Sequence, residues 1–161
     1  MWFSQVSPLE EHIQGRLPVK KKEGDKMEYS QLIKERYSVR KFSDKPVEDA
    51  KLAAILEAAR VAPTAVNKQP QRILVIRDAA GMEKLKACTP YTFGAPMALA
   101  VCGHRDEAWV RPYDGYNSAI IDAAIIGTQI MLAVHDLGLG STWVGHLTRR
   151  CSARLSACRT I

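Results

Sequence analysis

The sequence lacks internal repeats and low-complexity tracts, and it has no excess of structure breakers: ten glycines and eight prolines in 161 residues. With 47% hydrophobic and 25% charged residues, that excludes collagen, disorder throughout and low-complexity fibres. The length fits one domain with enough chain to bury a real core. The body also lacks a surplus of either charge. Residues 1–148 are nearly balanced, and most of the net charge of +6 comes from residues 149–161, which hold four arginines and no acid. A nucleic-acid-binding face needs a basic stripe across the folded body, so no nucleic acid is expected. The four cysteines form no C-x-x-C. Cys102 and His104 lie two apart in a likely strand but have no second close pair, so no metal is expected. No apolar run of signal-peptide length opens the chain, and a cytoplasmic protein with reduced thiols is expected. Also missing are G-x-G-x-x-G between a strand and a helix, a Ser-His-Asp order and a nucleophile elbow; a classical dinucleotide fold is disfavoured and no catalytic side chain stands out.

What is present reads as alternating helices and strands. Tyr29, Leu32, Ile33 and Arg36 fall at helical spacing over 29–37, and Leu52, Ile55, Leu56 and Ala59 make a buried stripe over 47–61. Pro63 ends that second helix, because the residue before proline avoids the α region. The segment 71–77 is apolar on both faces, which predicts a strand central in its sheet. A short helix near 79–87 and a second doubly buried strand at 97–103 follow. The most apolar stretch, 117–137, has the length of a membrane span. Asp122, Gln129, His135 and Asp136 interrupt it, which predicts a soluble core helix and no membrane. Gly138 suits a left-handed turn at its end, with a short strand at 141–145 leaving the turn.

Three clusters could carry chemistry. Arg36, Ser38 and Arg40 alternate in an extended segment, which points them one way; two guanidiniums and a hydroxyl suit a phosphate and a polyol, and a solvated basic loop is the other reading. Residues 62–70, APTAVNKQP, present the Thr64 hydroxyl and the Asn67 and Gln69 amides, which suit a heterocycle edge carrying N–H and C=O groups. The other reading is that Pro63 and Asn67 merely shape the turn. Residues 136–145, DLGLGSTWVG, hold two glycines that permit close backbone approach.

In this order and spacing, the clusters resemble the FMN-dependent nitroreductase family. Its R-R-S-x-R motif corresponds to Arg36-Tyr37-Ser38-Val39-Arg40, with tyrosine for the second arginine. Its A-P-S-A-x-N-x-Q-P-W corresponds to residues 62–71, with Thr64 for serine and Gln71 for tryptophan. Its G-A-P-V turn corresponds to Gly94-Ala95-Pro96-Met97, and its L-G-L-G-x-x-W-V-G to Leu137 through Gly145. The likeness covers about residues 28–146.

The resemblance implies an α+β fold, a mostly antiparallel sheet flanked by helices, built as an intertwined homodimer around the 117–137 helix. It implies FMN at the dimer interface, with NADH or NADPH as co-substrate. Arg36, Ser38 and Arg40 would hold the phosphate and ribityl chain; Pro63, Thr64, Ala65, Asn67 and Gln69 of the other subunit would reach the ring system; backbone N–H groups at Val144 and Gly145 would face the flavin N5 region. The flavin would carry the hydride in a ping-pong scheme, from NAD(P)H to a nitroaromatic, a quinone or a similar small-molecule acceptor. A flavin-binding protein without turnover and a truncated inactive relative are the alternatives. Residues 1–26 read as a lead-in, either read-through upstream of a start at Met27 or an arm that packs on a partner. Residues 27–146 then form the FMN-binding domain, incomplete by the family's pattern. Residues 147–161 form a basic tail in which the family's further strand and basic phosphate ligand are not legible; it reads as a frameshifted end or as a divergent terminus.

Overall fold

The computed structural model describes residues 2–8 and 28–147. The elements are β1 (Trp2–Pro8), α1 (Tyr29–Glu35), α2 (Asp49–Arg60), β2 (Gln71–Ile76), α3 (Ala79–Lys86), β3 (Met97–Gly103), α4 (Ala119–Asp136) and β4 (Leu139–Val144), with one 3-10 turn at Ala65–Asn67. The class is α+β as expected: helices pack on a four-stranded antiparallel sheet of order β2-β3-β1-β4. The basic tail lies outside the described residues, apart from Leu147.

The two-residue period of β3 divides the core. Met97, Leu99 and Val101 face one way and join Leu52, Ile55 and Ala59 of α2 with Ala123, Ile126, Ile130 and Val134 of α4. Ala98 and Ala100 face the other way and join Leu74, Ile76, Leu85 and Cys88. β3 is therefore buried on both faces, as its apolar run predicts. At its end Gly103 lies so close to α4 that a Cβ there would stand 3.0 Å from the Ala119 carbonyl carbon and Cβ. Only glycine lets the strand approach the helix this closely.

The α2 stripe is as expected, with Leu52, Ile55 and Ala59 buried and Leu56 half-buried. α3 starts on a cap, the Asp78 carboxylate accepting from the Gly81 N–H at 2.8 Å. α4 ends at Asp136 with Leu137 as its C-cap, and Gly138 adopts φ 72° and donates its N–H to the His135 carbonyl, the left-handed exit expected of it.

Two expectations change. β2 is not central: among the described residues it forms an edge of the sheet, paired with β3 alone. Its side chains are nonetheless divided between the two cores, Ile73 and Val75 toward α4 and Leu74 and Ile76 toward α3, so both faces read as buried while one edge carries no strand among the described residues. The lead-in also contains an element the periodicity does not disclose. β1 lies between β3 and β4 and pairs with both, Val6 facing Met97 on one side and Ser141 on the other. Its polar residues Ser4, Gln5 and Ser7 are buried, and Gln5 Oε1 finds no hydrogen-bond partner among the described residues. Gln5 Nε2 donates to the Tyr91 carbonyl at 2.6 Å and Ser7 Oγ to the Ser43 carbonyl at 2.8 Å.

Candidate functional site

The first cluster follows α1. At Arg36 the backbone leaves the helix (ψ 139°), and the chain runs along the start of β4: Ser38 bridges Ser141, and Val39 donates its N–H to the Ser141 carbonyl at 3.0 Å. Arg36 is half-buried and turns toward α4, where Nη1 meets the Met131 thioether at 3.3 Å. Its Nε is buried with no acceptor among the described residues. A thioether is a weak acceptor, so this guanidinium is short of anionic partners. Arg40 is exposed and folds Nη1 back toward the Ser38 carbonyl at 3.4 Å. Below this segment, Val39, Phe42 and Ala95 form a small core with Tyr37 and Phe93. Val144 is buried at the end of β4, and Gly145 is exposed just beyond it. The structure thus joins Arg36, Ser38 and β4 in one neighbourhood.

The second cluster follows α2. Within the turn, Asn67 N–H donates to the Thr64 carbonyl at 3.0 Å, Lys68 N–H to the Ala65 carbonyl at 3.1 Å and Gln69 N–H to Thr64 Oγ1 at 3.0 Å. Val66, Asn67 and Gln69 all have positive φ (44°, 55° and 47°). That is ordinary for asparagine but a genuine outlier for β-branched valine. The turn's backbone is largely satisfied from within, so the Asn67 and Gln69 side chains stay exposed. Pro63 is exposed beside them, Thr64 and Ala65 half-buried. One residue not picked out from the sequence joins here: Asp122 of α4, 1% exposed, accepts the Ala65 N–H at 2.8 Å and the Ser118 hydroxyl at 2.7 Å.

The clusters sit at different stations on α4. Arg36 meets Met131, while the 64–69 turn meets Asp122. Nine residues separate these, about 13 Å along a helix rising 1.5 Å per residue. Between them runs an open apolar groove of about 720 Å³, lined by Tyr29 and Leu32 of α1, Pro63, and Ile121, Ile125 and Leu132 of α4.

Elsewhere, burial pushes the Cys102 thiol up from its ordinary pKa. His104 stands 3.7 Å from Glu107, whose carboxylate is taken up by Arg72. Among the described residues no three or more His, Cys, Asp or Glu are grouped to hold a metal.

Both clusters are built of guanidinium, hydroxyl, amide and backbone donors on an α+β scaffold. Such donors suit a ligand that carries anionic and hydrogen-bonding groups. The nitroreductase family profile matches residues 33–89 and 86–156, running past His146 where the motifs end. The chain belongs to the nitroreductase family and is an oxidoreductase. It is 32% identical over 148 residues to a protein of Methanothermobacter thermautotrophicus provisionally named NADH dehydrogenase/NAD(P)H nitroreductase, covering 90% of this chain and 71% of that one. Among solved structures, a nitroreductase family protein of Clostridium difficile superposes with a TM-score of 0.78 at 40% identity, covering 81% of this chain and 76% of that one. A protein of Desulfovibrio desulfuricans provisionally named a nitroreductase, solved in complex with FMN, superposes with a TM-score of 0.64 at 30% identity, covering 80% of this chain and 72% of that one.

Proposed function

We propose that this protein is a flavin-dependent oxidoreductase that binds FMN between two copies of the chain and takes reducing equivalents from NADH or NADPH. Bound FMN would supply the hydride chemistry, accepting from the reduced nicotinamide and giving to a nitroaromatic, a quinone or a similar acceptor. The observation that carries the reading is Arg36. A guanidinium with a buried Nε lacking an acceptor, and a sulfur as its Nη1 partner, fits an anionic phosphate. Ser38 and Arg40 extend the same set toward a polyol chain.

The stations on α4 support the two-copy arrangement. In a two-fold pair whose axis crosses α4, the two copies of the helix run antiparallel. The Asp122 end of one copy then lies beside the Met131 end of the other. This would bring Pro63, Thr64, Ala65, Asn67 and Gln69 of one copy toward Arg36, Ser38 and Arg40 of the other, with the Val144 and Gly145 N–H groups between them. Exposed Ile120, Ile121 and Ile125, together with the groove, provide apolar surface for such a pair. A single pocket serving donor and acceptor in turn suits a ping-pong scheme, and donors from the 64–69 turn would steady negative charge on the ligand. A soluble, cytoplasmic setting goes with this reading, in which one stripe of α4 packs on the sheet and the second copy would cover its exposed isoleucines.

FMN titration tests it. The wild-type chain should bind FMN, and NADH should bleach the flavin absorbance anaerobically. Arg36→Ala should weaken FMN by roughly ten- to a hundredfold, the worth of a charged hydrogen bond of about 1.5–3 kcal/mol. Flavin binding without bleaching would make this a flavin-binding protein without turnover. No flavin binding would make it an inactive relative.

A further inference from the structure

We infer that Asp122 is a positioning residue for the flavin site. Its buried carboxylate holds the Thr64–Gln69 turn in the conformation that presents the Asn67 and Gln69 amides, an inference that rests on the flavin reading above.

Asp122 is buried on α4 with two hydrogen bonds, from the Ala65 N–H and the Ser118 hydroxyl, and with no ion pair among the described residues. Burying a carboxylate without a cation is costly, and a capping role on its own helix needs no reach to another element. Here Oδ2 takes the hydroxyl of the preceding turn, while Oδ1 crosses to a segment 57 positions away in sequence. The segment it reaches holds three non-glycine residues at positive φ. Conformations of that kind persist only where the surroundings over-determine them, and they gather at binding sites. The turn's own hydrogen bonds close it upon itself. Among the described residues, the hydrogen bond that ties it to another element is the one to Asp122. Releasing Ala65 therefore frees the turn to relax and moves Asn67 and Gln69 without changing either.

The experiment compares Asp122→Ala with Asp122→Asn. Asparagine keeps an oxygen for the Ala65 N–H, and the Ser118 hydroxyl can rotate to accept from the new amide. Hydrogen exchange on the flavin-free protein reads the pinning directly. In Asp122→Ala the amides of Ala65 and Gln69 should exchange faster, while those of Ile126 and Ile130 in α4 keep wild-type protection. FMN titration reads the consequence: roughly a tenfold loss of affinity in Asp122→Ala, with Asp122→Asn within about threefold of wild type. Should Asp122→Ala fail to fold, Ala65→Pro removes the N–H from the other side. Thr64 already holds the extended backbone that a following proline requires, so the same loss is expected. Wild-type protection at Ala65 in a folded Asp122→Ala overturns the pinning. An equal affinity loss in Asp122→Asn overturns positioning in favour of a direct charge effect. A wild-type chain that takes up no FMN refutes the function and with it the flavin-facing half of this inference, while the exchange comparison still decides the pinning.

Discussion

Replacing Val6 by alanine tests whether residues 2–8 belong to the fold or merely precede it. Val6 has no exposed surface and packs in the main core with Met97, Leu99, Ile126, Ile130 and Leu139. The substitution removes two methyl groups, worth about 0.8 kcal/mol each in transfer from water. The space left between β1 and α4 adds a cavity contribution, bringing the total to about 2–3 kcal/mol. A domain of this length melts about 2–4 °C lower per kcal/mol lost, so Tm should fall by roughly 4–12 °C. The melt is followed by circular dichroism without added flavin, because ligand bound to the native state raises Tm by mass action. Lys84→Ala, exposed on α3, serves as the control and should melt within about 1 °C of wild type. A Val6→Ala protein that melts with wild type would refute the central placement of β1 and restore the reading of this segment as a dispensable lead-in.

Ile125→Glu should turn a dimer into a monomer by light scattering and abolish FMN binding together with it, because it sets a charge on the apolar face that the proposed pair would cover; a variant that stays dimeric, or a wild-type monomer that binds FMN, contradicts the two-copy site. The Asp114 carboxyl is held below the usual carboxylate range, first by its side-chain hydrogen bond to Arg111 and then by the Tyr116 N–H. Its folded pKa is therefore depressed, so the contribution of the pair is present above the unfolded pKa and is lost as pH falls through the folded one. An NMR titration of Arg111→Ala should find Asp114 moved up toward ordinary carboxylate values, with the Tyr116 N–H still holding it below them, and an unmoved Asp114 would show that the loop backbone rather than Arg111 sets it.

Hydrophobic period reports the faces of an element, and faces were what the sequence made legible. The stripe of α2 follows from 3.6-residue spacing and the double burial of β3 from its unbroken apolar run, whereas α4, the most apolar stretch, showed no single face. The same signal could not place β2 at an edge: α3 and α4 cover both its faces, and the side left unpaired among the described residues lies in the sheet plane, where no side chain points. β1 was hidden for a different reason. Ser4, Gln5 and Ser7 are polar residues in the middle of a sheet, and the carbonyls of Tyr91 and Ser43 accept from Gln5 Nε2 and Ser7 Oγ. Those acceptors lie 86 and 36 positions away, beyond any local pattern.

The candidate site divides in the same way. Arg36 and Ser38 stood out by their alternation with Arg40, the 62–70 turn by its hydroxyl and amide groups, and motif order supplied the family. Their arrangement needed coordinates, because it is measured along α4. In the sequence Asp122 reads only as a polar break in an apolar helix. In the structure it is the point where that helix holds the 64–69 turn, as Met131 is the point where it meets Arg36. A ligand touching both within one chain would have to reach about 13 Å along the helix. A ligand shared by two antiparallel copies meets one end from each. The buried stripe of α4 fixes the helix on the sheet, its exposed isoleucines offer the surface for a second copy, and the two ends carry the polar clusters. On this arrangement, loss of the pair and loss of the ligand must occur together, which separates the two-copy site from one closed within a single chain.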